Sequence, residues 1–194
     1  WRKRGAGWGT SGSWSVTAGG GGTFVGASSL GTSSWAMYNS SGATTEAIRD
    51  FGALAVGHVF YAEMDNGGVS SGKSVGMTLR NSSGQDMMEF YFSGGSSYYT
   101  HNRSEGAVAT TVPYTTDGLE ITVTIASSTT YSLSVKIKGG STYGPFTGTF
   151  INSGSISRVR FFNYQAGSGS SYDLFFNNIK TGPSVTAPLY DDSA

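Results

Sequence analysis

Leu119, Ile121, Val123 and Ile125 alternate with Glu120, Thr122 and Thr124. After Ser127-Ser128-Thr129 the alternation resumes, with Tyr131, Leu133, Val135 and Ile137 set against Ser132, Ser134 and Lys136. A period of two puts one residue set on each side of a pleated strand, so this stretch predicts a hairpin with one dry face and one hydroxyl-rich face. The same device recurs near Val56–Asp65, Ser74–Arg80, Met87–Phe92 and Tyr98–Asn102. The connectors Asn66-Gly67-Gly68, Asn81-Ser82-Ser83-Gly84 and Ser93-Gly94-Gly95-Ser96 are rich in residues that tolerate positive φ or bond back to the chain. Further strands fit Ser13–Thr17, Ser34–Tyr38, Glu46–Phe51, Gly144–Phe150, Ser157–Gln165 and Asp173–Lys180. The best helical candidate, Ala43 to Ala55, is weakened by Thr44, Thr45 and Gly52. About a dozen strands spaced by turn signals predict an all-β, two-sheet antiparallel β-sandwich of the jelly-roll kind.

Pleating also assigns sides. If the segment from His58 to His101 is one meander, Phe60, Ala62, Met64, Val75, Met77, Leu79, Met88, Phe90, Phe92 and Tyr98 point inward. Tyr61, Glu63, Gly76, Thr78, Arg80, Glu89, Tyr91, Tyr99 and His101 then share the outer face. That set joins aromatic rings to carboxylates, a guanidinium and an imidazole. Apolar C–H patches of a pyranose stack on tyrosine, and sugar hydroxyls, being donors and acceptors, suit Glu, Arg and His. The plain structural alternative is a solvent face of cross-strand tyrosine pairs and a Glu–Arg ion pair. A second cluster, Arg158 to Tyr164, sets Arg158, Arg160, Phe162 and Tyr164 against Val159, Phe161 and Asn163. It lies beside the loop Ala166-Gly167-Ser168-Gly169, a favoured position for binding residues. The carbohydrate-binding candidates are therefore Tyr61, Glu63, Arg80, Glu89, Tyr91, Tyr99 and His101, with Arg160, Asn163 and Tyr164 from the second cluster.

Composition narrows the partners. The 194 residues contain no cysteine, equal numbers of acidic and basic residues, and only 12% charged residues. A neutral chain lacks the field that attracts a phosphate backbone, which argues against nucleic acid. No run approaches the roughly 20 apolar residues of a membrane helix. The basic run Arg2-Lys3-Arg4 reads as a solvated tail or a cleavage scar, and a start at Trp1 reads as a processed or excised piece. Low charge with abundant Gly, Ser, Thr and aromatic residues suits a secreted, extracellular bacterial domain. The expected organisation is an N-terminal extension over 1–12, a sandwich over 13–181 and a linker or tail over 182–194.

Catalytic constellations are sparse. Glycoside hydrolysis needs two carboxylates flanking one bond. On a strand only Glu63 and Asp65 have the spacing, and Asp65 adjoins a turn; Glu89 is separated from Glu63 by Arg80. The chain has no compact acidic run of the Glu-x-Asp-x-x-Glu type and no Gly-x-Ser-x-Gly elbow leading into a helix. His58 sits on an alternating strand and reads as structural, and no His cluster suggests zinc. The one cofactor considered is a structural calcium, with Asp173 as its candidate ligand and Asp65 or Asp50 with backbone carbonyls as further oxygens.

The ending Tyr172-Asp173-Leu174-Phe175-Phe176-Asn177-Asn178-Ile179-Lys180, together with Ser74-Val75-Gly76-Met77-Thr78-Leu79-Arg80 and Glu89-Phe90-Tyr91-Phe92, resembles the concanavalin A-like jelly-roll superfamily. More narrowly it is similar to laminin-G-like and carbohydrate-binding-module members, over Trp14 to Lys180. The resemblance implies a domain that holds a polysaccharide-degrading enzyme on its substrate through a concave sheet or edge loops. It also implies a calcium site where the first and last strands meet. The chain departs from the pattern in placing no clear tryptophan on the expected binding face; Trp8, Trp14 and Trp35 all lie early.

The leading expectation is a non-catalytic polysaccharide- or oligosaccharide-binding domain. The alternative is a structural or adhesive surface protein that self-associates or binds a protein partner. A sandwich-fold polysaccharide hydrolase or lyase ranks third.

Overall fold

The computed structural model describes residues 14–103 and 105–183. The basic run Arg2-Lys3-Arg4, Trp8, the extension over 1–12 and most of the segment 182–194 lie outside the described residues.

Fourteen strands are described, in the order β1 (Ser15–Ala18), β2 (Gly21–Ser28), β3 (Gly31–Asn39), β4 (Thr45–Asp50), β5 (His58–Asn66), β6 (Ser74–Asn81) and β7 (Asp86–Phe92). Then follow β8 (Ser97–Asn102), β9 (Gly106–Pro113), β10 (Leu119–Ile125), β11 (Thr130–Ile137), β12 (Thr142–Thr149), β13 (Ile156–Tyr164) and β14 (Leu174–Pro183). They form two antiparallel sheets of seven, ordered β1-β4-β13-β6-β7-β8-β9 and β12-β11-β10-β5-β14-β3-β2. Among the described residues no helix is long and apolar enough to cross a membrane.

The hairpin β10–β11 has the register that alternation predicts, with Ile121 opposite Val135 and Val123 opposite Leu133. Its turn is set by Ser127, whose Oγ accepts the backbone N–H groups of Thr129 and Thr130. Asn81 does the same for β6–β7, accepting N–H groups from Ser83 and Gln85. Ala43 to Ala55 contains no helix. In β4, Thr45, Ala47 and Arg49 are buried while Glu46, Ile48 and Asp50 are not, the period of a strand. Two strands, β2 and β9, give no clear alternation signal. Each is a sheet edge with small residues, Gly-Gly-Thr-Phe-Val-Gly-Ala-Ser and Gly-Ala-Val-Ala-Thr-Thr-Val-Pro.

All ten residues assigned inward between Phe60 and Tyr98 are buried. The two sheets meet through rings such as Phe161 and Phe176, parallel at 4.1 Å. Trp14 packs on Phe176 at 5.3 Å and lies 6.3 Å from Trp35, so both tryptophans belong to the core margin. Buried Tyr98 donates its hydroxyl to Asn66 at 2.8 Å, and burial pushes that phenol well above its usual range.

One topological expectation fails. The segment from His58 to His101 is not one meander, because β5 lies in the second sheet and β6 to β8 lie in the first. Asn66-Gly67-Gly68 opens a crossing between sheets, not a hairpin. The crossing is held by N–H bonds from Gly67 to the Asp173 carbonyl, Gly68 to Ser171 and Ser70 to Ala166.

Candidate functional site

The outer face of the first sheet gathers most of the predicted residues. Cross-strand pairing aligns Ile48, Arg160, Thr78, Glu89, His101 and Ala107 in one row, perpendicular to the strands. The next row aligns Glu46, Phe162, Gly76, Tyr91, Tyr99 and Ala109. A third aligns Asp50, Arg158, Arg80 and Asp86.

From Arg160 to His101 the first row is a continuous polar chain. Thr78 Oγ1 donates to Glu89 Oε1 at 3.0 Å, and His101 Nδ1 lies 3.3 Å from Glu89 Oε2. Arg160 Nη1 lies 3.4 Å from Thr78 Oγ1 and 3.9 Å from Glu89 Oε1, while Nη2 meets Glu46 Oε1 at 2.6 Å. The Arg160 guanidinium rides over the Phe162 ring at 4.8 Å, so a phenylalanine on an outer face is nevertheless buried. In the second row Tyr91 and Tyr99 stack at 5.7 Å. Burial first, then the charge of Glu89, raises the Tyr91 pKa, so its hydroxyl stays protonated and can both donate and accept. Gly76 permits this close packing. A Cβ there would fall 2.4 Å from the Phe90 carbonyl oxygen and 2.6 Å from Tyr91 Cα. The third row is two ion pairs, Arg80 Nε to Asp86 at 2.6 Å and Arg158 to Asp50.

Arg80, Glu89, Tyr91, Tyr99, His101 and Arg160 thus share one surface. Tyr164 is on the same face at the end of β13, 39% exposed, with Lys73 Nζ 5.0 Å from its ring centroid. Asn163 does not reach that surface. It is fully buried, donating to the Met37 and Tyr172 carbonyls and accepting from Ala166 N–H, because alternation along β13 turns it into the core. Tyr61 and Glu63 are on the outer face of the opposite sheet, where the crossing after β5 puts them. There the Tyr61 hydroxyl donates to Glu63 at 3.3 Å, Lys138 meets Glu63 at 3.4 Å, and Lys180 lies over the Tyr61 ring.

Sequence reasoning missed Glu46, which completes the Arg160 cluster; its signal was the alternation of Glu46, Ile48 and Asp50. It also missed an aromatic patch on the opposite face. Phe24 lies 6.3 Å from Tyr38 and 5.8 Å from Phe175, edge-on to the latter. Tyr38 covers its cross-strand partner Gly22, where a Cβ would meet the phenol oxygen at 2.7 Å.

Glu46 and Glu89 both converge on Arg160, at 2.6 and 3.9 Å. Asp173 is buried just before β14, and burial pushes its carboxyl up to about 6. Among the described residues no three His, Cys, Asp or Glu side chains converge on a metal position.

No protein-family model matches the chain, and no curated protein matches it. Its fold is similar to solved structures at low identity. A sialidase matches with a TM-score of 0.64 at 9% identity, over 88% of this chain and 17% of that one. The ligand-binding domain of botulinum neurotoxin serotype D, solved with N-acetylneuraminic acid, matches with a TM-score of 0.58 at 11% identity, over 92% of this chain and 44% of that one. A carbohydrate esterase from the Shiga toxin-encoding bacteriophage phi24B matches with a TM-score of 0.58 at 9% identity, over 89% and 90%. This chain spans less than half of the sialidase and neurotoxin chains. These likenesses establish the two-sheet sandwich fold.

Proposed function

We propose that this protein is an extracellular carbohydrate-binding domain of the concanavalin A-like jelly-roll type. Its site is the outer face of the first sheet, and it performs no chemistry on the sugar. The observation that carries this reading is the stacked pair Tyr91–Tyr99, set beside the bonded row Arg160–Thr78–Glu89–His101 on a face that none of the described strands covers. The rings supply apolar contact, and the row supplies acceptors and donors already held in place, so little side-chain entropy is lost on binding. A sialidase, a carbohydrate esterase and a domain bound to N-acetylneuraminic acid among the similar folds support the same class of ligand.

Native affinity electrophoresis through gels containing glucans, xylans, mannans or alginate tests the proposal. Retardation by at least one glycan is expected, with Tyr91→Ala weakening it about tenfold or more. Retardation in no gel favours the self-associating structural protein. Release of reducing ends from a retarding glycan would make the protein an enzyme.

A further inference from the structure

We infer that the glycan taken by this face is uncharged; the inference rests on the binding reading above and deepens it. The argument is the commitment of charge. Across the seven strands the outer face presents Glu46 and Asp50 on β4, Arg158 and Arg160 on β13, Arg80 on β6, Asp86 and Glu89 on β7, and His101 on β8. Strands β1 and β9 contribute no charged residue. Each of these three strand guanidiniums already holds a carboxylate: Arg80 with Asp86, Arg158 with Asp50, and Arg160 with Glu46 and Glu89. His101 is on Glu89. Carboxylates outnumber guanidiniums by one on this face.

An anionic sugar needs a cation it can reach. Arg160, the central one, is sunk to 14% side-chain exposure between two carboxylates and over Phe162. A uronate, sialate or sulfate approaching it meets Glu46 and Glu89 first, and like charges at close range repel. Lys73 precedes β6, bonds Gln165 and lies over Tyr164 at the end of the face; Arg103 follows β8. Neither lies in the row beside the tyrosines. A neutral pyranose meets no such repulsion. Its hydroxyls donate to the remaining lone pairs of Glu89 and Glu46 and exchange bonds with the phenols of Tyr91 and Tyr99. Neighbouring folds include one bound to an acidic sugar, but the charge arrangement here selects against that class.

The test compares the wild type, Tyr99→Ala and the double variant Glu46→Gln/Glu89→Gln. Gels contain either neutral polymers (hydroxyethylcellulose, xylan, mannan) or anionic ones (alginate, polygalacturonate, a sialylated mucin). Circular dichroism and melting confirm that each variant is folded. The expected result is retardation of the wild type in a neutral gel and at least about tenfold less in every anionic gel. Tyr99→Ala loses that retardation, and the double variant gains mobility shifts in anionic gels as Arg160 is released. Wild-type retardation in anionic gels only, abolished by Tyr99→Ala, overturns the uncharged class while leaving sugar binding by this face intact. Retardation nowhere, or retardation that Tyr99→Ala leaves unchanged, overturns the site itself and this inference with it.

Discussion

Asp173 shows how one side chain couples fold to pH. Burial alone lifts its carboxyl to about 6, so the folded state favours the protonated form. The stability this residue contributes is full below the ordinary carboxylate range, near pH 4, and is lost as pH rises to about 6. Asp173→Asn removes the buried charge. It is expected to raise stability at pH 7.5 by up to about 3 kcal/mol and to change it little at pH 4, as read by urea denaturation at the two pH values. Other residue-level assignments divide by what alternation can see. The burial of Phe60, Met77 and Phe90 followed from period two. The burial of Phe162 on the outer face did not, because it depends on Arg160 folding over the ring.

Among the elements, the pair β6–β7 forms the middle of the binding row, and its closeness depends on one missing side chain. A Cβ at position 76 would collide with the Phe90 carbonyl and Tyr91 Cα, both backbone atoms that move only if the strands part. Gly76→Val is expected to destabilise the fold by about 3 kcal/mol and to weaken glycan retardation, since it displaces Tyr91 from Tyr99. Denaturant titration beside affinity electrophoresis measures both effects. β5 illustrates the opposite case. Its residues read correctly as a strand with Phe60, Ala62 and Met64 inside, yet the sheet it joins is set by the crossing tied down at Gly67, Gly68 and Ser70. Nothing in Asn66-Gly67-Gly68 distinguishes a hairpin turn from the start of a crossing, because glycine suits both. β2 and β9 were illegible for another reason. Edge strands bury less, so their sequences need fewer large apolar residues.

The whole sandwich places two aromatic surfaces back to back: Tyr91 and Tyr99 on one face, Tyr61 with the Phe24, Tyr38 and Phe175 patch on the other. Binding at the first face is therefore expected to survive Tyr61→Ala unchanged while Tyr99→Ala abolishes it. The cluster from Glu46 to His101 crosses five strands, about 19 Å at the usual inter-strand spacing. A ligand of several sugar rings fits that length, so affinity should climb from mono- to tetrasaccharide and then level off. Isothermal titration with a neutral oligosaccharide series measures the climb. A flat dependence on length would confine recognition to a single ring.

The chain's own alternation determined that the protein is all-β and which residues of nearly every central strand face the core. Those properties are local: each strand's pleat and each turn's chemistry lie within a few residues. The tertiary structure alone decided which strands share a sheet, and with it that Tyr61 and Glu63 part company with Tyr91 and that Glu46 joins Arg160. That choice rests on contacts between residues far apart in sequence, such as β13 inserted between β4 and β6. Period two along one strand carries no information about its neighbours.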